Sequence, residues 1–361
     1  MTEGSPALHV RGAVLPEGEH RDLYVVDGHI TYERAASADT VATGWIMPGL
    51  VDAHCHVGLD QHGAVPVAEQ EAQAITERDA GSLLLRDAGS AADTRWIDDR
   101  ADLPRIIRAA RHIARTRRYI PNYAAEVEPE GLVGEVERQA ARGDGWVKLV
   151  GDWIDRGVGD LAPCWPADAV AAAINRAHEL GCRVTAHVFM HDSLPDLIDA
   201  GIDCLEHGTG LTGDLVDRAA ARGVALVPTL IQVANFPTYA AQGEAKFPKY
   251  AAHMRRLHAA IPATMRAAYE AGVPIYAGTD AGGSLAHGQV AREIAALHEI
   301  GLTTEEALGA GSWKAREWLG RPGTLAEGAP ADFIVLASDP RADLGVLTTP
   351  SRVVLRGRVV A

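Results

Sequence analysis

Cysteine is scarce in this chain: Cys55, Cys164, Cys182 and Cys204 are all there is in 361 residues. No two stand as CxxC, which excludes a thiolate zinc site or a dithiol redox motif of the usual spacing. So few unpatterned thiols suit a reducing compartment. Long apolar runs are also missing. Nothing approaches the ~20 residues that cross a bilayer, and residues 1–10 lack the basic-then-apolar pattern of a secretory leader. The expectation is a cytoplasmic protein with no membrane partner. Positive charge is short as well: 34 Lys and Arg stand against 48 Asp and Glu, a formal charge of -14. That balance argues against a nucleic-acid partner. Residues 108–118 are the one basic exception and read as a solvated helix face.

The length suits one large α/β domain with a small accessory unit. Residues 7–14 and 22–31 alternate apolar and polar side chains between turn residues, as do residues 331–336 and 351–360 around Gly357. Both ends therefore read as strands that pair into one small β-unit. The middle repeats a short apolar run, a polar loop and an amphipathic stretch, the pattern of parallel strands with crossover helices. Candidate strands end near His54, Arg86, Tyr123, Val150, His187, Glu206, Pro228 and Gly278, and helices are expected at 170–180, 193–200, 215–222, 289–299 and 304–310. Asp168, Asp192 and Thr303 are candidate N-caps. The expected fold is a (β/α)8 TIM-type barrel over residues 48–320, with a β-sandwich built from residues 1–47 and 321–361.

Chemistry in such a barrel gathers at the C-terminal ends of the strands, and metal-capable residues fall there. His54 and His56 close the first strand and, two apart, share one face. Lys148 lies inside the apolar fourth strand, where a lysine is rare unless it is paired or used. His187, His207 and Asp280 end the fifth, sixth and eighth strands. One His-X-His means little, but five strands delivering polar groups to one rim mark a site.

These residues lie in stretches that resemble the amidohydrolase superfamily: residues 47–56 (MPGLVDAHCH), Arg86-Asp87-Ala88-Gly89, and residues 202–208, 277–282 and 323–336. Within it the chain looks most like imidazolonepropionase-like proteins and Xaa-Pro or Xaa-Arg dipeptidases. The resemblance implies that His54, His56 and Asp280 hold one divalent metal and His187 and His207 a second. It implies that Lys148, carboxylated by CO2, bridges them, and a bridging anion would offset the repulsion of two close cations. The metals are expected to be zinc, with manganese, iron or cobalt accepted by the same ligands. The implied activity is hydrolysis of an amide, cyclic amide or dipeptide-like C–N bond by a hydroxide between the metals. Asp280 carries the proton, and His187 or His207 steadies the oxyanion.

Around that centre His191, Arg156, Tyr239 and His287 are candidates for touching a small-molecule substrate, Arg156 because it suits a carboxylate. Residues 232–249 form a long insertion of the kind that makes lids. Pro121-Asn122-Tyr123-Ala124 stands where the dipeptidase-like relatives carry a glycine- and histidine-containing loop, which weakens a peptide assignment. Rival readings are a mononuclear deaminase or imidazolonepropionase-like enzyme, a lactone or ester hydrolase, and a non-catalytic binding protein. Homo-oligomerisation stays open.

Overall fold

The alternating residues at the two ends of the chain meet in one sheet. In the computed structural model, which describes residues 7–361, seven strands form it. The first six residues, part of the segment read as lacking a leader, lie outside the described residues. Leu8–Val14, Glu19–Val26, His29–Thr31 and Asp39–Pro48 come from the start of the chain, and Phe333–Leu336, Arg352–Leu355 and Arg358–Val359 from its end. Asp39–Pro48 is the element the alternation does not announce, because its first half is polar and partly exposed. It nevertheless joins the two ends, running parallel to Leu8–Val14 and antiparallel to Phe333–Leu336. Val10, Leu23, Ile30, Ile46, Phe333 and Val354 close into one apolar cluster beneath.

Between these ends, strands alternate with helices. Leu50–Cys55, Ser82–Asp87 and Arg105–Arg108 pair in parallel. Ile113–Arg115, Trp146–Val150, Arg183–Val188, Cys204–His207 and Ala225–Val227 form a second parallel set, edged by Ala125–Val127. Asp144 N–H donates to the Arg108 carbonyl at 2.8 Å, linking the two sets on one side. On the other side, residues 274–281 form no regular strand, but their backbone bonds both flanks. Leu226 N–H donates to the Pro274 carbonyl at 2.8 Å, and Ala53 N–H and His56 N–H donate to the carbonyls of Ala277 and Ala281 at 2.9 and 2.8 Å. Helices pack outside through apolar faces at helical spacing, as in Ala167–Glu179, which buries Val170, Ala173, Ile174 and Ala177. Thr304–Ala310 starts on a capping box between Thr303 and Glu306. Among the described residues, no helix is long and apolar enough to cross a membrane.

Three local expectations change. The third strand is not at 117–125: residues 117–124 are turns and bends, with Arg117 and Asn122 at positive φ and Pro121 between them. The strand is Arg105–Arg108, whose Ile106 and Ile107 suit a sheet. Residues 108–118 are accordingly no solvated helix face, and Arg108 is buried against Asp98 and Asp144 at 2.9 and 3.0 Å. Asp168 lies within the first turn of its helix, which Pro166 precedes, and Asp192 sits in the short 3-10 turn His191–Ser193.

In the terminal sheet Gly12 stands opposite Gly44, and a Cβ on Gly12 would come within 1.7 Å of the Gly44 carbonyl oxygen. Backbone cannot yield as a flexible side chain can. Gly12→Ala is expected to cost about 2–3 kcal/mol, read as an earlier urea midpoint; an unchanged midpoint would show that these strands are not packed so closely.

Candidate metal centre

Parallel strands bring distant histidines together. His54 is the penultimate residue of Leu50–Cys55, and His56 follows that strand. Their Nε2 atoms lie 3.2 Å apart, and both reach Asp280 Oδ1, at 3.0 and 2.9 Å. The three residues offer one ligand atom each within a 4.8 Å cluster. From the other parallel set, His207 Nε2 meets His187 Nδ1 at 3.0 Å, and the His54 and His207 rings are 5.4 Å apart. The five histidine and aspartate ligand candidates thus converge, and Lys148 lies close enough to act on His54, His187 and His207.

Partners behind the rings aim them. His56 Nδ1 lies 2.7 Å from the Gly89 carbonyl, which only accepts, so that nitrogen carries the proton and Nε2 presents its lone pair. His207 Nδ1 bonds Thr229 Oγ1 at 2.7 Å. Asp52, wholly buried, takes the backbone N–H of His54 and both the N–H and hydroxyl of Thr279, fastening the first strand to the Asp280 segment. His207, Thr229 and Asp280 all have left-handed backbones, at φ 66°, 48° and 62°. Such conformations are costly outside glycine and cluster at functional sites.

Burial keeps His54, His187 and His207 neutral. It lowers His54 to about 4 and His207 to about 3, and His187 falls well below its ordinary value through burial with His207 and Lys148 close by. Burial alone would raise Asp280, but His54 and the bonds from His54 and His56 hold it well below the usual carboxylate range. Neutral imidazoles and an anionic carboxylate are the donor set a divalent cation takes. Buried His54 Nδ1 and His187 Nε2 have no hydrogen-bond partner, and two nitrogen–nitrogen contacts are met. The residues fit a metal group.

Lys148 is wholly buried and pairs with Glu206. Asp144 and Asp152, the neighbouring acids, are engaged elsewhere, with Arg95 and Arg108 and with two backbone N–H groups. Glu206 also accepts from Thr185 Oγ1 at 2.7 Å and lies 3.6 Å from Arg86 and 3.7 Å from His54 Nδ1. Burial opposes its charge, yet His54, Lys148 and Arg86 hold it well below the usual range. Sequence reasoning did not single out Glu206, Asp52, Thr229 or His112. A glutamate inside the apolar strand Cys204–His207, two strands from a buried lysine, was the available signal. His112 offered none: its ring stacks 5.0 Å from His56 and 5.3 Å from Tyr119, and neither ring nitrogen has a partner. Gly89 makes its room, since a Cβ there would stand 2.8 Å from His112 Nδ1.

A cavity of about 440 Å³ opens over the cluster, with His56, His187 and Asp280 in its lining. Tyr239 also lines it, held by Gln232 Oε1 at 3.0 Å and Ser284 Oγ at 2.8 Å. The insertion at 232–249 is largely helical, Leu230–Val233 and Phe236–Gly243 leading into Pro248–Glu270, and forms one wall. The other three substrate candidates are not in this lining. His191 is exposed and faces the Gly210 carbonyl at 3.1 Å; Arg156 is exposed on a turn; His287 turns to Glu77 at 2.9 Å. Packing sets the direction of a strand-end loop, which spacing does not reveal. Glu293 anchors the wall by accepting the N–H groups of Leu230 and Ile231, and burial pushes it up to about 8.

A model of the amidohydrolase family matches residues 45–360. The chain belongs to the amidohydrolase family. It is accordingly a hydrolase acting on carbon–nitrogen bonds. An uncharacterised protein of Mycobacterium tuberculosis is 59% identical over 353 residues, spanning 97% of this chain and 95% of its own. The crystal structure of a Xaa-Pro dipeptidase with methionine bound in its active site is similar, with a TM-score of 0.81 and 22% identity over 98% of this chain and 99% of that one. A. niger ochratoxinase gives 0.80 and 19% over 99% and 96%. At these identities the likeness to the two structures is one of fold.

The Glu293 carboxyl supplies a pH signature. Its folded value, about 8, lies above the ordinary 4.5, so between those values the folded amidohydrolase keeps a proton that the unfolded chain releases. Stability from this group therefore falls as pH rises through that window. Glu293→Gln, which keeps an accepting oxygen, is expected to gain in melting temperature relative to the parent from about pH 5 to about pH 9. A gap that stays constant with pH would show that Glu293 is ionised throughout.

Proposed function

We propose that this amidohydrolase is a binuclear metal enzyme that hydrolyses an amide, cyclic amide or dipeptide-like bond at the floor of the aromatic cavity. The observation that carries this is the convergence of His54, His56 and Asp280 with His187 and His207 around Lys148, at the cavity floor. His54, His56 and Asp280 would hold one ion, His187 and His207 the other, and a carboxylated Lys148 would span both. Two divalent ions there, zinc or manganese, iron or cobalt, would supply an activated water at neutral pH and positive charge beside the scissile carbonyl.

The side chains do the rest. Asp280, held anionic by His54 and His56, takes the proton of the attacking water and returns it to the departing amine. His187 and His207, neutral and buried, keep lone pairs with which they would hold the second ion. Tyr119, Trp153 and Phe189 beside His187 exclude water from that side. The same reading makes the parallel strands a closed (β/α)8 barrel over residues 48–320. The bonds from residues 274–281 to both flanking strands support that closure. The sheet of the two chain ends is then the β-sandwich of residues 1–47 and 321–361.

The Lys148–Glu206 contact favours a second reading. An ammonium balanced by that glutamate needs no carbamate, and the His54, His56 and Asp280 triad alone then holds a single metal, as in a deaminase. Metal content separates the two. Protein grown with added zinc or manganese is expected to carry close to two ions per chain, falling toward one or none in Lys148→Ala, with kcat/KM down about 10³-fold or more on an N-acyl amide. One ion in both proteins would leave the mononuclear reading. Retained turnover after His54→Ala or His187→Ala would remove the metal centre from the chemistry.

A further inference from the structure

Aromatic residues make up only 5% of the chain, yet the cavity over the metal centre gathers Tyr119, Trp153, Phe189, Tyr239, Phe247 and Tyr250 in its lining. That concentration gives a wall for flat or apolar groups. The charged and titratable groups in the lining besides the tyrosines are His56, His187 and Asp280, all at the metal end. Among the described residues, no lysine, arginine or glutamate lines it. Arg117 and Arg118 precede Tyr119 in sequence but lie outside the lining. Arg118 commits its Nη atoms to Asp155, the Trp153 carbonyl and the Ala162 carbonyl, each at 2.8 Å, leaving only Nε unpartnered. Arg156, the cation the sequence suggested for a carboxylate, is exposed on its turn. The polar features of the far wall are uncharged: Gln232, Tyr239 and Ser284 bond one another, and Gln61 and Gln242 stand near.

A carboxylate drawn into such a space would be desolvated without a cation to meet it. A dipeptide carries one beside its scissile bond. We propose that the cavity accepts substrates uncharged on the side away from the reacting carbonyl, of the aryl or alkyl amide class, and discriminates against free dipeptides. The aromatic walls enclose the apolar group, and the Gln232–Tyr239–Ser284 cluster offers it one neutral hydrogen bond. This rests on the hydrolytic reading for the reaction but on the walls alone for the selection.

N-benzoylpyrrolidine and N-benzoylproline test it, because they share the scissile bond and differ by one carboxylate. Both are titrated calorimetrically into the metal-loaded protein and assayed for turnover. Metal ions would themselves attract a carboxylate, so a preference for the neutral compound would come from the walls. The neutral compound is expected to bind at least about tenfold more tightly and to show a kcat/KM greater by about the same factor. Equal or tighter binding of N-benzoylproline, or binding of neither compound, would overturn the proposal. Neutral-selective binding without cleavage of either would support it while removing the hydrolytic reading.

Discussion

A carboxylate sealed from water has to be balanced on every side, and Glu206 is that carboxylate here. Its neighbours are Lys148, Arg86, His54 and the Thr185 hydroxyl. Each comes from a different strand, so the charge balance exists only when the strands are in register. At the candidate metal site, burial disfavours protonated imidazole. The rings keep lone pairs for a cation rather than protons for a carboxylate. Removing one partner of such a buried pair leaves an uncompensated charge, typically costing about 3–5 kcal/mol.

The rim is built by backbone as much as by side chains. His207, at the end of its strand, and Asp280, in the irregular segment 274–281, take left-handed conformations that glycine adopts freely and they do not. What holds them is a set of short bonds: Asp280 N–H to the His54 carbonyl at 2.7 Å, Gly208 N–H to the Val188 carbonyl at 3.1 Å, and His207 to Thr229. Asp52 ties the same strands from below. The strain turns each side chain toward the cluster, and neighbouring segments supply the restraint that the local sequence lacks.

Above this polar floor the cavity changes character within a few side chains, from imidazole and carboxylate to tyrosine, tryptophan and phenylalanine. Two further buried carboxylates shape that wall without lining it. Glu293 fastens the start of Leu230–Val233, and Asp152, which burial raises to about 7, accepts the N–H groups of Phe189 and Met190. In the proposed reading, reaction chemistry sits on the strands and selection on segments pinned to them, an arrangement that lets specificity vary without disturbing the floor.

The sequence by itself determined the parallel βα alternation, the pairing of the two chain ends and the histidines, lysine and aspartate that meet at the candidate metal site. Each depends on local signals: apolar periodicity, turn residues, and histidine, lysine or aspartate at the end of an apolar run. It placed the third strand wrongly, because residues 117–125 carry apolar side chains but also backbone angles that only their surroundings impose. Tertiary structure alone decided three things. It chose Glu206 as the partner of Lys148, since that contact spans 58 residues and crosses strands. It put Tyr239 in the cavity but left His191, Arg156 and His287 out, since loop direction is set by packing. It also placed His112 against His56, where a glycine far away in sequence leaves room for the ring. Spacing along a strand fixes which face a side chain takes; what it meets there depends on chains folded against it from elsewhere.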